Sequence, residues 1–444
     1  MKTILISGGY GYKDAGDEAQ LSAQLANMRK RMPESHFVIF SDNPENTRIH
    51  YREQTEFSIN HYLSLPVFGL TSLWSGRSGR RENQELSILD KVLNGSFVKL
   101  LFLSLILIFN AKRMKKNQKT IFLNCGLKHF LQTIKDSDLL FNVGGGNLTS
   151  VWRLELRSKC LLLILFRIFE KPVVLSGQTI GPFCGWLDRV IARYALNRVN
   201  LITLREKNSK DNLRNLGVNY PMVKVTGDDS STLIPICRAE IKEIFNEKKI
   251  DLSSRPIIGL NIIGLRYLRG SNSFEKSKRI LARIADYLVV KHNATIVFFP
   301  TQYGDNDDRV SISEVLKLME RKHNVFTFWQ ELSDRAIKGL ISELDLVIGF
   351  RYHFLVFAVD SGVPSIGLYA GDYYSTKVNG LLSLVGLEQN AIDVENATFE
   401  ELIDIIEKNL IDKKAISNML EERTAVIEKL SIFSVDYARK ILYN

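Results

Sequence analysis

Short apolar runs punctuate the chain, each followed by glycine or polar residues and then by a longer stretch of mixed character. Runs at 3–7, 38–41, 139–143, 173–176, 201–204 and 223–226 read as buried strands, and a second series follows at 257–263, 295–299, 324–328, 344–349 and 365–368. Unbroken apolar runs of this length between turn signals fit strands covered on both faces, as in a parallel sheet. Helical stretches fall between them, at about 19–32, 159–169 and 354–360, and the alternation predicts βαβ units. The predicted fold class is therefore α/β, with two Rossmann-like doubly wound domains. Residues 1–236 form the first, 237–255 a linker rich in Lys and Glu, and 256–398 the second. The tail at 399–444 reads as helices, the last of them able to pack back on the first domain. A length of 444 residues supports the division, since single cores rarely grow that far.

Residues 66–120 break the rhythm. Ten residues at 100–109, LLFLSLILIF, contain only Ser104 as a polar position, and Lys112, Arg113, Lys115 and Lys116 follow at once. Of the formal net charge of +10, the 45 residues at 91–135 supply +9, with nine Lys or Arg and no Asp or Glu, leaving +1 for the other 399. Charge so localised argues against nucleic acid, which needs a basic stripe across a fold. It suits a helix lying in the interface of an anionic membrane, although a buried helix with a solvated basic end has the same pattern. No apolar run reaches the ~18–20 residues of a spanning helix. The opening MKTILISGGYGYKDAGDEAQ passes from a short strand into glycines and acids, unlike a signal peptide. Cys125, Cys160, Cys184 and Cys237 form no CxxC pair, and each reads as a small buried hydrophobe in a reducing compartment. The expected location is cytoplasmic, peripheral on the inner face of the cell membrane.

Strand ends collect the candidate chemistry, because open α/β sheets bind ligands beyond the carboxyl ends of their strands. Gly9 and Asp17 follow the first strand, in a glycine-rich turn that either admits a ligand to backbone N–H groups or is simply tight; its spacing is not GxGxxG. Asn147, Gln178, Arg205 and Asp228 end four further strands, Asp228 reading best as a helix cap. In the second series Arg266 lies just past a strand, and Lys377 follows the run at 365–368. Arg351 and His353 sit where the strand at 344–349 gives way to a helix. A guanidinium grips carboxylate or phosphate, and an imidazole moves a proton near neutral pH. Read alone, this Arg-Tyr-His fits a loop-capping arginine and a satisfied interior histidine better. No HEXXH, nucleophile elbow or P-loop is present.

Six stretches in order change the balance: GGYGYKDAGDEA, GGGNL at 144–148, GQTIGP at 177–182, TLREKNS at 203–209, VTGDD at 225–229, and GFRYHFLVFAVDSGVPSIGL at 349–368 with Lys377. Together they resemble the polysaccharide pyruvyl transferases over residues 3–385. The resemblance implies two Rossmann-like domains facing one cleft, similar to the B-type glycosyltransferase fold. It implies transfer of the enolpyruvyl moiety of phosphoenolpyruvate to a sugar, on a lipid- or nucleotide-linked precursor, giving a pyruvate ketal and phosphate. The family's Arg-Leu-His falls on Arg351 and His353, with Tyr352 replacing the leucine, and its upstream arginine on Arg205. Arg351 and His353 are then the catalytic candidates, and Arg205, Arg266, Lys377, Asn147, Gln178, Gly9 and Asp17 the substrate-binding ones. Neither a cofactor nor a metal is expected. Two rivals share the architecture: a B-type glycosyltransferase using a nucleotide sugar, and a non-catalytic scaffold.

Overall fold

The computed structural model describes residues 1–11, 13–64, 96–264, 271–304 and 306–444. Arg266 and the first part of the basic insert lie outside them. Fourteen strands form two sheets in which every paired neighbour is parallel. The first contains β1 (Thr3–Ser7), β2 (His36–Ser41), β3 (Gln54–Phe57), β4 (Leu139–Asn142), β5 (Gly145–Leu148), β6 (Val173–Ile180), β7 (Leu201–Leu204) and β8 (Met222–Val225). Its order is β3-β2-β1-β4-β6-β7-β8, with β5 added beside β6. The second contains β9 (Ile257–Asn261), β10 (Thr295–Phe298), β11 (Val325–Thr327), β12 (Leu346–Gly349), β13 (Ser365–Tyr369) and β14 (Ala391–Asp393), in the order β11-β10-β9-β12-β13-β14. Each sheet reverses winding direction once, between β1 and β4 and between β9 and β12. At such a switch the loops leave in opposite directions and open a crevice.

Both faces of each sheet are covered, which is why the strands read as unbroken apolar runs. Helices Ser96–Lys115, Cys125–Asp136, Arg153–Ile168 and Trp186–Leu196 cover one face of the first sheet. Helix Ala15–Arg31 covers the other through Leu21, Leu25 and Met28, joined there by Val435 and Ala438 of the last helix, Phe433–Tyr443. The helix Ala15–Arg31 starts four residues before the predicted position because Asp14 caps it, accepting from the Gly16 and Asp17 N–H groups. It also serves the second half: Ala15, Ala19 and Ala23, one small residue per turn, enter the core beneath β12 and β13 with Phe354 and Phe357. Backbone pairs add to this junction, from the Ala15 N–H to the Thr301 carbonyl (2.9 Å) and from the Tyr303 N–H to the Lys13 carbonyl (3.1 Å).

Two expectations change. Cys160 is buried, but Cys125, Cys184 and Cys237 are exposed, at a helix start, in a loop and at a helix N-cap, where chain reversal keeps small side chains at the surface. The apolar run at 100–109 is the middle of a 20-residue helix, Ser96–Lys115, that uses two faces. Leu100, Leu103, Leu107, Ala111 and Met114 recur at helical spacing and enter the core against Arg153–Ile168. Leu101, Phe102, Leu105 and Phe109 occupy the opposite face and are exposed. Among the described residues no helix is long and apolar enough to cross a membrane.

The two faces predict opposite responses to substitution. Leu107 is 0% and Leu105 61% exposed. Leu107→Ala should lower the unfolding free energy by about 2–5 kcal/mol, and Leu105→Gln should change it by less than about 0.5 kcal/mol, as read from the midpoint of urea denaturation.

Candidate active site

A cavity of about 480 Å³ opens between the two switch points. Its first wall comes from Gly8 and Gly9 after β1, Gly145, Gly146 and Asn147 of β5, and Arg205 after β7. Its second comes from Thr301–Gly304 after β10, Phe350–His353 after β12, and Tyr373 and Lys377 on helix Asp372–Leu384. Close approach makes several glycines necessary. A Cβ on Gly16 would lie 1.8 Å from His353 Nδ1, one on Gly9 2.7 Å from Asp17 Oδ2, and one on Gly146 2.5 Å from the Tyr373 hydroxyl. That hydroxyl donates to the Gly146 carbonyl at 2.7 Å and joins the two walls.

His353 stands in the first turn of helix Tyr352–Asp360, with Nε2 3.7 Å from Asp228 Oδ2. This is an ion-pair separation, too long for a hydrogen bond, and Nε2 is buried with no hydrogen-bond partner among the described residues. Asp228 does cap a turn, accepting from the Ser230 N–H and hydroxyl, but it also accepts from Gln20 Nε2 (2.9 Å) and Arg205 Nη1 (3.1 Å). Burial alone would raise the Asp228 carboxyl. The His353 ring, the Arg205 charge and the Ser230 hydrogen bond outweigh it and hold Asp228 ionised, far below the usual carboxylate range.

Arg205 is 1% exposed, donates Nε to Thr179 Oγ1 at 3.0 Å, and stacks 4.4 Å from the Tyr352 ring centroid. Its Nη2 is buried without a hydrogen-bond partner among the described residues. Tyr352, standing where the family's pattern has leucine, therefore packs a buried guanidinium. Arg351 lines the cavity and is also engaged within its wall. Its Nη2 lies 2.6 Å from Asp308 Oδ1 and its Nε 3.1 Å from the same oxygen, with Asp14 3.9 Å away. Asp308 in turn accepts from the Thr301 and Gln302 N–H groups. Arg351 thus braces the wall.

Lys377 Nζ lies 4.5 Å from the Tyr373 ring centroid and beside Gly146. Asn147 and Gly9 line the cavity, as does Asp17. Gln178 does not: β6 runs on to Ile180 instead of ending at Ser176, because Gly177 takes φ +53° and shifts the register. Its side chain, 0% exposed, donates to the Ser176 carbonyl inside the sheet. Lys159, absent from the expected set, projects from helix Arg153–Ile168 toward Gly145, and its Nζ is buried with no hydrogen-bond partner among the described residues. Burial lowers its pKa, against the opposing pull of Asp17 and Asp42. Its only signal in the sequence is a lysine at the head of an apolar helix. Asp17 is raised to about 6 by burial and by Asp14, with His353, Lys159 and Lys377 pulling the other way.

Removing Asp228 strands two groups. Asp228→Ala should cost about 3–5 kcal/mol of stability, since Arg205 cannot lose its charge, whereas Asp228→Asn should cost less; thermal melts of both variants check this.

Two parallel sheets with a cation-lined cleft between their switch points define a protein of the B-type glycosyltransferase and sugar-epimerase architecture. Solved structures with this fold include Alr3699/HepE from Anabaena in complex with UDP and glucose (TM-score 0.54, 14% identity, covering 100% of this chain and 99% of that one). They also include MnaA from S. aureus with UDP (TM-score 0.60, 11% identity, 100% and 97%) and the UDP-GlcNAc 2-epimerase from Neisseria meningitidis bound to UDP-GlcNAc (0.57, 12%, 100% and 100%). At such identities the likeness is one of fold. The chain itself belongs to the polysaccharide pyruvyl transferase family, whose model matches residues 14–372. A relative, the amylovoran biosynthesis protein AmsJ of Erwinia amylovora, is 23% identical over 283 residues, which are 61% of this chain and 65% of that protein, so the match stops short of two thirds of the relative's length.

Proposed function

We propose that this chain transfers the enolpyruvyl group of phosphoenolpyruvate to a sugar of a lipid- or nucleotide-linked surface-polysaccharide precursor, forming a pyruvate ketal and releasing phosphate. One observation carries the reading. In the cavity that holds His353, the Nζ of Lys159 and Nη2 of Arg205 are buried without hydrogen-bond partners among the described residues, and Lys377 rests over the Tyr352 and Tyr373 rings. Cations left this way suit a ligand with a carboxylate and a phosphate. Asp17, Asp42, Asn43 and Asn60 line the same cavity and suit the hydroxyls of an uncharged sugar. In this reading His353 protonates the methylene carbon of the donor. No cofactor enters that scheme.

The test is phosphate release from phosphoenolpyruvate over a panel of sugar acceptors, with UDP-glucose as the alternative donor. Wild-type protein should consume phosphoenolpyruvate. His353→Ala should lose about 100- to 10,000-fold in rate while staying folded, and Lys159→Ala and Lys377→Ala should each weaken donor binding about 10- to 100-fold. Turnover of UDP-glucose alone would favour a glycosyltransferase, and turnover of neither a scaffold.

The same reading places the enzyme on an anionic membrane surface. The exposed stripe of Leu101, Phe102, Leu105 and Phe109 runs into Lys112, Arg113, Lys115 and Lys116, and the same helical layer exposes Trp186, Val190 and Tyr194 beside Arg189 and Arg193. Apolar contact plus cations near lipid phosphates is the composition of an interfacial helix. Lys115 also reaches Glu170 (2.8 Å), and Arg113 Nε the Lys119 carbonyl (2.8 Å). Replacing Lys112, Arg113, Lys115 and Lys116 by Gln should abolish flotation with vesicles containing anionic lipid; equal recovery of both proteins would remove this placement.

A further inference from the structure

Pyruvyl transfer moves two protons in opposite directions, one onto the methylene carbon and one off the attacking hydroxyl. A single imidazole cannot be charged and empty at once, so a second group is needed. We propose that Asp17 takes the proton from the acceptor hydroxyl while His353 delivers one to the donor carbon; the proposal rests on the pyruvyl-transfer reading.

The two carboxylates nearest His353 have opposite surroundings. Asp228 accepts from Gln20, Arg205 and Ser230 and is 3% exposed, so its oxygens are taken and out of reach of a substrate. It is the group that orients His353 and meets the charge on a protonated ring. Asp17 lines the cavity from the first turn of helix Ala15–Arg31, and its carboxylate accepts no hydrogen bond among the described residues. The charged groups that face it come from four elements: Asp14 at its own helix end, His353 on helix Tyr352–Asp360, Lys159 on helix Arg153–Ile168 and Lys377 on helix Asp372–Leu384. Asp17 and the imidazole therefore share one space with the donor-binding cations. A carboxylate and an imidazole facing one cavity supply the two groups that an acid and base pair needs. Of the other carboxylates lining the cavity, Asp14 is occupied by helix N–H groups and Asp42 by Ser58 and Asn60, and Glu155, in the first turn of helix Arg153–Ile168, acts on Lys159 and is not among the charges that bear on Asp17.

The protons balance without an outside reagent. As the hydroxyl oxygen bonds to the phosphate-bearing carbon, its proton passes to Asp17, and the double-bond electron pair takes the proton of His353 to make a methyl group. The carbon–oxygen bond to phosphate then breaks, and phosphate leaves with the proton held by Asp17. A second hydroxyl of the same sugar bonds to that carbon and returns a proton to His353. Both groups are reset.

The experiment compares full-length wild type, Asp17→Asn and Asp17→Glu with phosphoenolpyruvate and an acceptor that wild type uses, and measures binding of labelled phosphoenolpyruvate by equilibrium dialysis. A base raised to about 6 must be ionised to act, so the wild-type rate should climb with pH through about 6. Asp17→Asn should lose about 100- to 10,000-fold at every pH, yet bind phosphoenolpyruvate as well or more tightly, because a negative charge has left the anion site. Asp17→Glu should recover part of the rate. Asp17→Asn turning over within about threefold of wild type, or losing donor binding in parallel with rate, overturns the base assignment alone. A wild type that consumes no phosphoenolpyruvate with any acceptor overturns the pyruvyl-transfer reading, and the base assignment with it.

Discussion

A buried carboxylate, Asp228, sits where cations and donors from several elements meet: Arg205 after β7, Gln20 from helix Ala15–Arg31 and His353 from the second sheet. Arg205 cannot be neutralised and is 1% exposed, so burying it demands this counter-charge. The same oxygen that satisfies Arg205 also faces the imidazole. Placement of the first wall's arginine and the second wall's histidine is thus one electrostatic problem with one solution, and the cavity takes its shape from it.

Helix Ala15–Arg31 makes that solution possible by belonging to both halves. Its leucines pack on the first sheet and its alanines enter the second core. Gly16 lets the His353 ring approach closer than any side chain would permit. Asp14 caps its start and Asp17 faces the cavity one turn on. The segment after β1 is therefore less a phosphate loop than a hinge of small residues that brings a carboxylate beside the imidazole.

The cavity gathers both signs of charge. Lys159, Lys377 and the open edge of Arg205 lie around Gly145 and Gly146, and Asp17, Asp42, Asn43 and Asn60 line the same space. Arg351, the residue that looks most like an anion clamp in the sequence, is turned to Asp308 and holds the loop at Thr301 and Gln302.

Local patterns carried most of the fold and half of the site. Fully buried parallel strands are unbroken apolar runs, so β1 and β7 are legible to the residue, and strand ends placed Arg205, His353 and Lys377 on one cleft. Gln178 was misplaced because a glycine with φ +53° lets β6 continue past a point where composition ends it. The helix Ser96–Lys115 could be read as core or as membrane contact, because a run apolar on every side hides its period; packing shows it has one face of each kind. The pairing of Arg351 with Asp308 had no sequence signal, and Lys159 only its place at the head of an apolar helix, since what each side chain meets is set by other elements reaching it in space. The sequence by itself determined the central strands of both sheets and the family they resemble, but not the short strands β3, β5 and β14 or the end of β6. Only the tertiary structure decided which cations keep a buried donor without a partner among the described residues and which carboxylates share the cavity with the imidazole, because partnering is a matter of distance across the cleft and no local rule records it.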